Sequence, residues 1–233
     1  MNDGERRKQL LQLAAGAAFL AVAVVLVLIV VNASSSGDGG DTKLEGKAEV
    51  NRALKGIPQE GMTLGDPQAP VELVEFADLK CPYCKAFAEG VLPPIIENQV
   101  KNGRVKISYR VLTIIDDQSQ PAGAAAYAAG NQGRGWNFVE LFYRNQGNEA
   151  TGYANDAFLE AIAKGADVPN LSHWNRERAE LEPEVEASTA EAHKLGFTGT
   201  PSFAIKGPKT VGLEPIDTPS SSEALEGAIE EAG

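Results

Sequence analysis

Phe76-Ala77-Asp78-Leu79-Lys80-Cys81-Pro82-Tyr83-Cys84 is the stretch on which the reading of this 233-residue chain turns. It holds the chain's only two cysteines, spaced Cys-x-x-Cys. Ahead of them an apolar run, Val71 to Ala77, reads as a buried strand. Behind them Lys85 to Val100 reads as a helix, which Pro93 and Pro94 must kink or interrupt. A strand, a turn and a helix with the cysteine pair at the helix start is the local setting of a redox-active dithiol. The unpaired N–H groups and positive potential of a helix N-terminus favour the thiolate. That is the species that attacks a disulfide, or leaves from one. Cys81, at the mouth of the helix, is expected to be the exposed, low-pKa sulfur. Cys84, one turn further in, is expected to be the more buried, resolving one.

Two plainer readings compete. As a structural disulfide the pair would close a very small loop and constrain the unfolded chain little. As half a zinc site it lacks partners. The chain offers only His173 and His193 besides, at the wrong spacing, and no second cysteine pair.

Glu75 is unusual inside the strand. It and Glu72 fall on opposite faces, because side chains alternate along a strand. Glu75 is either a solvent-facing carboxylate or a buried acid beneath the cysteines that exchanges a proton with Cys84, its pKa raised by desolvation.

Outward toward the N-terminus, Leu10 to Val31 is an apolar run broken only by Gln12, at about 22 residues enough to span a bilayer core. Arg6, Arg7 and Lys8 precede it, and no Lys or Arg follows until Lys43. The positive-inside rule then puts residues 1–9 in the cytoplasm and everything after Val31 outside. Val31-Asn32-Ala33 loosely resembles a signal-peptide cleavage site, but the apolar run exceeds the usual signal core, which favours an uncleaved anchor over 10–31. Residues 32–56 read as a linker, flexible and solvated around Ser34 to Asp41, with a short polar helix within Lys43 to Lys55. The folded domain is expected over 57–233. Its place outside the cytoplasm is where disulfides persist. The net charge of −11 argues against nucleic acid as a partner.

Outward toward the C-terminus, Val105 to Val111 alternates as a half-exposed strand. Residues 119–181 read as helices. The first contains Pro121 and the run Ala124 to Ala129, and stops at Gly130. Asn155 caps a third that Gly165 ends. Trp136, Phe138, Phe142, Tyr143, Phe158 and Trp174 read as core. A helix from Pro183 to Leu195 leads to Thr200-Pro201 and a short apolar strand. Val211 to Leu213 is expected as the last strand, and Ser220 with Glu223 as the capping box of a terminal helix.

From about Ile57 onward the chain resembles the DsbA-like thiol–disulfide oxidoreductases of the thioredoxin-like superfamily, membrane-anchored bacterial members above all. The resemblance rests on Val74-Glu75-Phe76, Cys81-Pro82-Tyr83-Cys84, Tyr127-Ala128-Ala129-Gly130-Asn131-Gln132-Gly133 and Gly199-Thr200-Pro201-Ser202-Phe203. It implies an α/β, thioredoxin-like fold with a helical domain inserted at about 119–181. It makes Thr200–Pro201 the cis bond beside the active site and favours Glu75 as the buried acid. Many members have His where this chain has Tyr83, and a phenol offers the thiolate no positive charge.

The function expected is oxidation of client thiols through Cys81 and Cys84. Thr200, Pro201, Pro82 and Tyr83 would receive the client, and neither metal nor soluble cofactor is needed. The resemblance also implies a quinone-linked membrane partner that restores the disulfide. No dimerisation module is evident, so the chain reads as a monomer. The competing readings are a reductase or isomerase of the same fold, and a peptide-binding chaperone in which the cysteines are incidental.

Overall fold

A computed structural model describes residues 44–233. Helix α1 (Lys47–Ala53) leads into a short hairpin, β1 (Gln59–Glu60) and β2 (Thr63–Leu64). Strand β3 (Val71–Ala77) runs into α2 (Pro82–Gly90), α3 (Leu92–Ile95) and a π-helical turn, Ile96–Val100. Strand β4 (Val105–Val111) is followed by α4 (Ser119–Gly130), α5 (Gly135–Arg144), α6 (Asp156–Gly165), α7 (Leu171–Glu177) and α8 (Glu182–Lys194). Then come β5 (Ser202–Lys206), β6 (Glu214–Ile216) and α9 (Ser222–Ala232).

The six strands form one sheet in the order β1-β2-β4-β3-β5-β6. β3 and β4 are parallel and every other pair is antiparallel. β3 lies between two partners and is buried on both faces apart from Glu72, which is why it reads as a near-continuous apolar run. Val71, Leu73 and Ala77 face the main core, shared with α2 and the insert. Val74 and Phe76 face a smaller cluster with Leu112, Ala192 and Ala204. Glu75 has the parity of Leu73 and Ala77, so it too faces the main core.

The helical insert is built on small residues and aromatics. Trp136 and Trp174 are fully buried, and each indole N–H reaches a carbonyl at 2.9 Å, that of Met62 and of Ala125 respectively. Phe138, Phe142 and Tyr143 are buried with them as expected, whereas Phe158 is only half-buried against that core. At Gly130 a Cβ would fall 2.9 Å from the Gly61 carbonyl oxygen, so this position holds glycine for close approach of the β1–β2 turn.

Several expectations need correction. The linker reading of 32–56 fails for its final stretch. Val50 of α1 and its C-cap residue Leu54 are buried in the main core, and Lys47 pairs with Asp167 at 2.7 Å. The predicted Lys85–Val100 helix starts earlier and breaks at Val91, where Pro93 and Pro94 stand in the first turn of α3. The last strand lies at Glu214–Ile216 and not Val211–Leu213. Thr210 bonds back to Gly207 and on to Gly212, which holds Val211 in an exposed turn. The terminal helix is capped by Ser221, one residue later than expected, through Ala224 N–H at 3.2 Å. No helix among the described residues is long and apolar enough to cross a membrane. The predicted anchor at 10–31, the tail at 1–9 and the linker up to residue 43 lie outside the described residues.

Candidate active site

Helix α2 begins at Pro82 because proline suits the first helical position, where no N–H is needed. Cys81 is therefore the N-cap residue, with extended backbone (φ −72°, ψ 122°). Cys84 falls in the first turn and is fully buried. Both thiols are free.

Cys81 departs from expectation in one respect. It is only 3% exposed, because the Thr200 segment lies over the helix mouth, with the Cys81 thiol donating to the Thr200 carbonyl at 3.5 Å. The accessible part of the motif is Pro82 and Tyr83, the latter 74% exposed. Thr200–Pro201 is cis, as the resemblance implied, and both residues are half-buried beside Cys81.

The two sulfurs are pushed in opposite directions. The Cys84 thiol donates to Cys81, and this is the largest cause that brings Cys81 down from 9.0 to about 6. Burial opposes the change, while the backbone N–H groups of Cys84 and Tyr83 add to it. The Cys84 thiol is pushed well above its usual range, first by burial, then by the proton it gives Cys81 and by negative charge on Cys81 and Glu75.

Glu75 settles on the buried side of its two readings. It is 1% exposed and sits in register between Tyr109 on β4 and Phe203 on β5. Burial first, and the charge of Glu140 second, raise its pKa from 4.5 to about 8, and one of its oxygens has no hydrogen-bond partner. The carboxyl is therefore mostly protonated at neutral pH. Tyr109 and Tyr143 complete the floor, their hydroxyls 3.0 Å apart and both raised by burial. The structure thus brings Cys81, Cys84, Glu75, Thr200 and Pro201 into one site and leaves Pro82 and Tyr83 on its rim.

Sequence reading missed three residues here. Glu140 is buried, with its pKa raised by burial from 4.5 to about 7, against the pull of Arg144. Its signal was periodic, since it shares a helix face with Trp136 and Tyr143. Asp78 and Lys80 are both buried within the motif itself. Nothing in their spacing marked them.

This arrangement can exchange a disulfide at Cys81 while keeping a proton beneath Cys84. Residues 58–231 match the family model described as thioredoxin. The chain belongs to the thioredoxin family. Within that family it is similar to the probable disulfide bond formation protein D of Bacillus cereus, 28% identical over 151 residues, covering 62% of this chain and 69% of that one. The crystal structure of oxidised BdbD from Bacillus subtilis shares the fold, with a TM-score of 0.66 at 21% identity over 76% of this chain and 97% of that one. A thioredoxin-like oxidoreductase from Silicibacter pomeroyi matches with a TM-score of 0.58 at 28% identity, over 77% of this chain and 95% of that one. The chain is a DsbA-like thiol–disulfide oxidoreductase of this family.

Proposed function

We propose that this oxidoreductase oxidises client thiols to disulfides outside the cytoplasm, from a membrane tether. The observation that carries the reading is the opposed displacement of the two thiols, Cys81 down to about 6 and Cys84 up. A thiolate stabilised at Cys81 stabilises the reduced protein, and a disulfide whose reduced form is favoured is an oxidant.

The cycle follows from that asymmetry. A client thiolate attacks Cys81 Sγ of the Cys81–Cys84 disulfide. The bond to Cys84 breaks, and Cys84 leaves as a thiolate in a site that disfavours charge. Glu75, protonated below about 8, supplies the proton. A second client thiolate then attacks the client sulfur of the mixed disulfide, and Cys81 departs as the stabilised thiolate. Two electrons pass from client to protein. Thr200 and Pro201, beside Cys81, would pair with the client backbone in strand-like fashion, with Pro82 and Tyr83 on the rim of the contact. A quinone-linked membrane partner would accept the electrons in turn and restore the disulfide.

The tether is supported by the apolar run 10–31 behind Arg6, Arg7 and Lys8. Protease added to intact cells after wall removal should digest the domain, and complete protection would contradict the topology. For the chemistry, oxidised protein is mixed with a reduced client bearing two thiols. One client disulfide should form for each Cys81–Cys84 disulfide consumed. A client that stays reduced would refute oxidation as the activity.

A further inference from the structure

The residue before the attacking cysteine is a lysine whose side chain is 0% exposed. Removing an ammonium from water is costly unless every proton finds an acceptor. Lys80 Nζ has three acceptors for its three protons. These are the Asp116 carboxylate, Gln118 Oε1 at 3.2 Å and the Thr151 carbonyl at 3.4 Å. The Tyr153 ring lies 5.5 Å away, giving the cation an aromatic face. Asp116 and Gln118 belong to the loop between β4 and α4, and Thr151 and Tyr153 to the loop between α5 and α6.

The neighbours of Lys80 are held by the same two loops. Asp78 accepts from the amides of Ile114 at 2.9 Å and Ile115 at 3.1 Å, and its other oxygen accepts from Lys80 N–H at 2.9 Å. Gln146 donates to the carbonyls of Leu79 at 2.7 Å and Cys81 at 3.1 Å. Every residue from Asp78 to Cys81 is thus bonded to a loop that borders the helical insert.

We propose that Lys80 is a positioning residue for Cys81: its buried ammonium fastens the turn that ends at Cys81 to the β4–α4 and α5–α6 loops, and so fixes where the sulfur sits at the mouth of α2. Stability alone does not account for it. A buried ion pair is commonly matched or bettered by an apolar side chain of the same volume. What the charge adds is a directed, three-point attachment one residue from the reacting atom. The sulfur depends on that placement, because Cys81 is the N-cap residue of α2 and its thiol donates to the Thr200 carbonyl at 3.5 Å, a long contact that a small displacement would break. The inference rests on the proposed role of Cys81 as the attacked and attacking sulfur.

The test uses the reduced full-length protein in detergent and the pH dependence of Cys81 alkylation. Lys80→Met should raise the midpoint by about one pH unit, a tenfold loss of thiolate below it. Asp116→Asn keeps the lysine and removes one anchor. It should raise the midpoint by a smaller amount. If Lys80 acted only as a nearby positive charge, Asp116→Asn would leave that charge less neutralised and lower the midpoint, and that result would overturn positioning. Midpoints unmoved in both variants, with only the melting temperature falling, would also overturn it. Should Lys80→Met fail to fold, Asp116→Asn decides, since Asp116 is one-third exposed. Client oxidation by the unaltered protein is measured in parallel. Midpoints that rise while that protein leaves clients reduced would uphold positioning and remove the oxidase reading.

Discussion

The mouth of α2 and the floor beneath it push two sulfurs in opposite directions. At the mouth, the Cys84 thiol first, and the backbone amides of Cys84 and Tyr83 after it, lower the Cys81 pKa. On the floor, Cys84 meets Glu75 and the fully buried Tyr109 and Tyr143, a setting that disfavours negative charge. What separates the two is first the Cys84 thiol, which lowers the pKa of Cys81, and then burial, which is the largest cause of the rise at Cys84. The oxidising direction proposed above rests on this difference. A thiol with a folded pKa below its unfolded value stabilises the reduced fold at high pH and loses that effect as pH falls through about 6. The disulfide form has no thiolate to gain from it.

The comparison breaks most severely if the sulfurs can exchange roles. Cys81→Ala should reduce client oxidation to background and accumulate no mixed disulfide. Cys84→Ala should trap clients on Cys81. A non-reducing gel of each variant with a reduced client reads both, and mixed disulfides on Cys84 in the Cys81 variant would contradict the assignment. A smaller effect is expected at Glu75. Glu75→Gln should slow turnover at neutral pH by roughly tenfold to a hundredfold, the usual scale of a lost proton donor. Its stability effect has a definite sign. The carboxyl titrates near 4.5 when unfolded and about 8 when folded, so its protonated form favours the fold. The unaltered protein should lose stability as pH rises from about 4.5 to about 8, and the variant should lose less. Melting temperatures across that range would show it, and parallel curves would place Glu75 outside the buried floor. The smallest effect sharpens the mouth. Tyr83→His adds a titratable cation near the thiolate, but at a position 74% exposed, where solvent screens it. The Cys81 midpoint should fall by a few tenths of a pH unit, within the usual scale of exposed charge pairs. A rise would mean that Tyr83 itself supports the thiolate.

Much of this was legible in the chain where the signal is local. The strand, the cysteine pair and the following helix stand within one short stretch, and Asn155 caps α6 through Phe158 N–H at 3.1 Å as its position indicated. Gly196, just past the end of α8, has φ +85°, the left-handed value that suits a glycine there. What was not legible depends on partners far along the chain. Thr200, which covers Cys81, is 119 residues away, and the three acceptors of Lys80 are 36, 38 and 71 residues away. No periodicity encodes such pairings, and a lysine in a turn ordinarily reads as solvated. α1 was visible as a helix but not as core, because it buries only Val50, with Leu54 beside it at the C-cap. Val211 to Leu213 misled because an apolar triplet near the end of a domain resembles a strand, while the Thr210 bonds that hold it in a turn use side-chain chemistry that alternation does not register.

The most direct test is the equilibrium of the Cys81–Cys84 couple against reduced and oxidised glutathione at neutral pH. Stabilisation of the reduced form through Cys81 predicts an oxidising couple, nearer the potential of about −120 mV known for a strong dithiol oxidant than the about −270 mV of a dithiol reductant. A midpoint at or below the reductant's value would contradict the account, because it would mean that the lowered Cys81 pKa does not govern which way the electrons run.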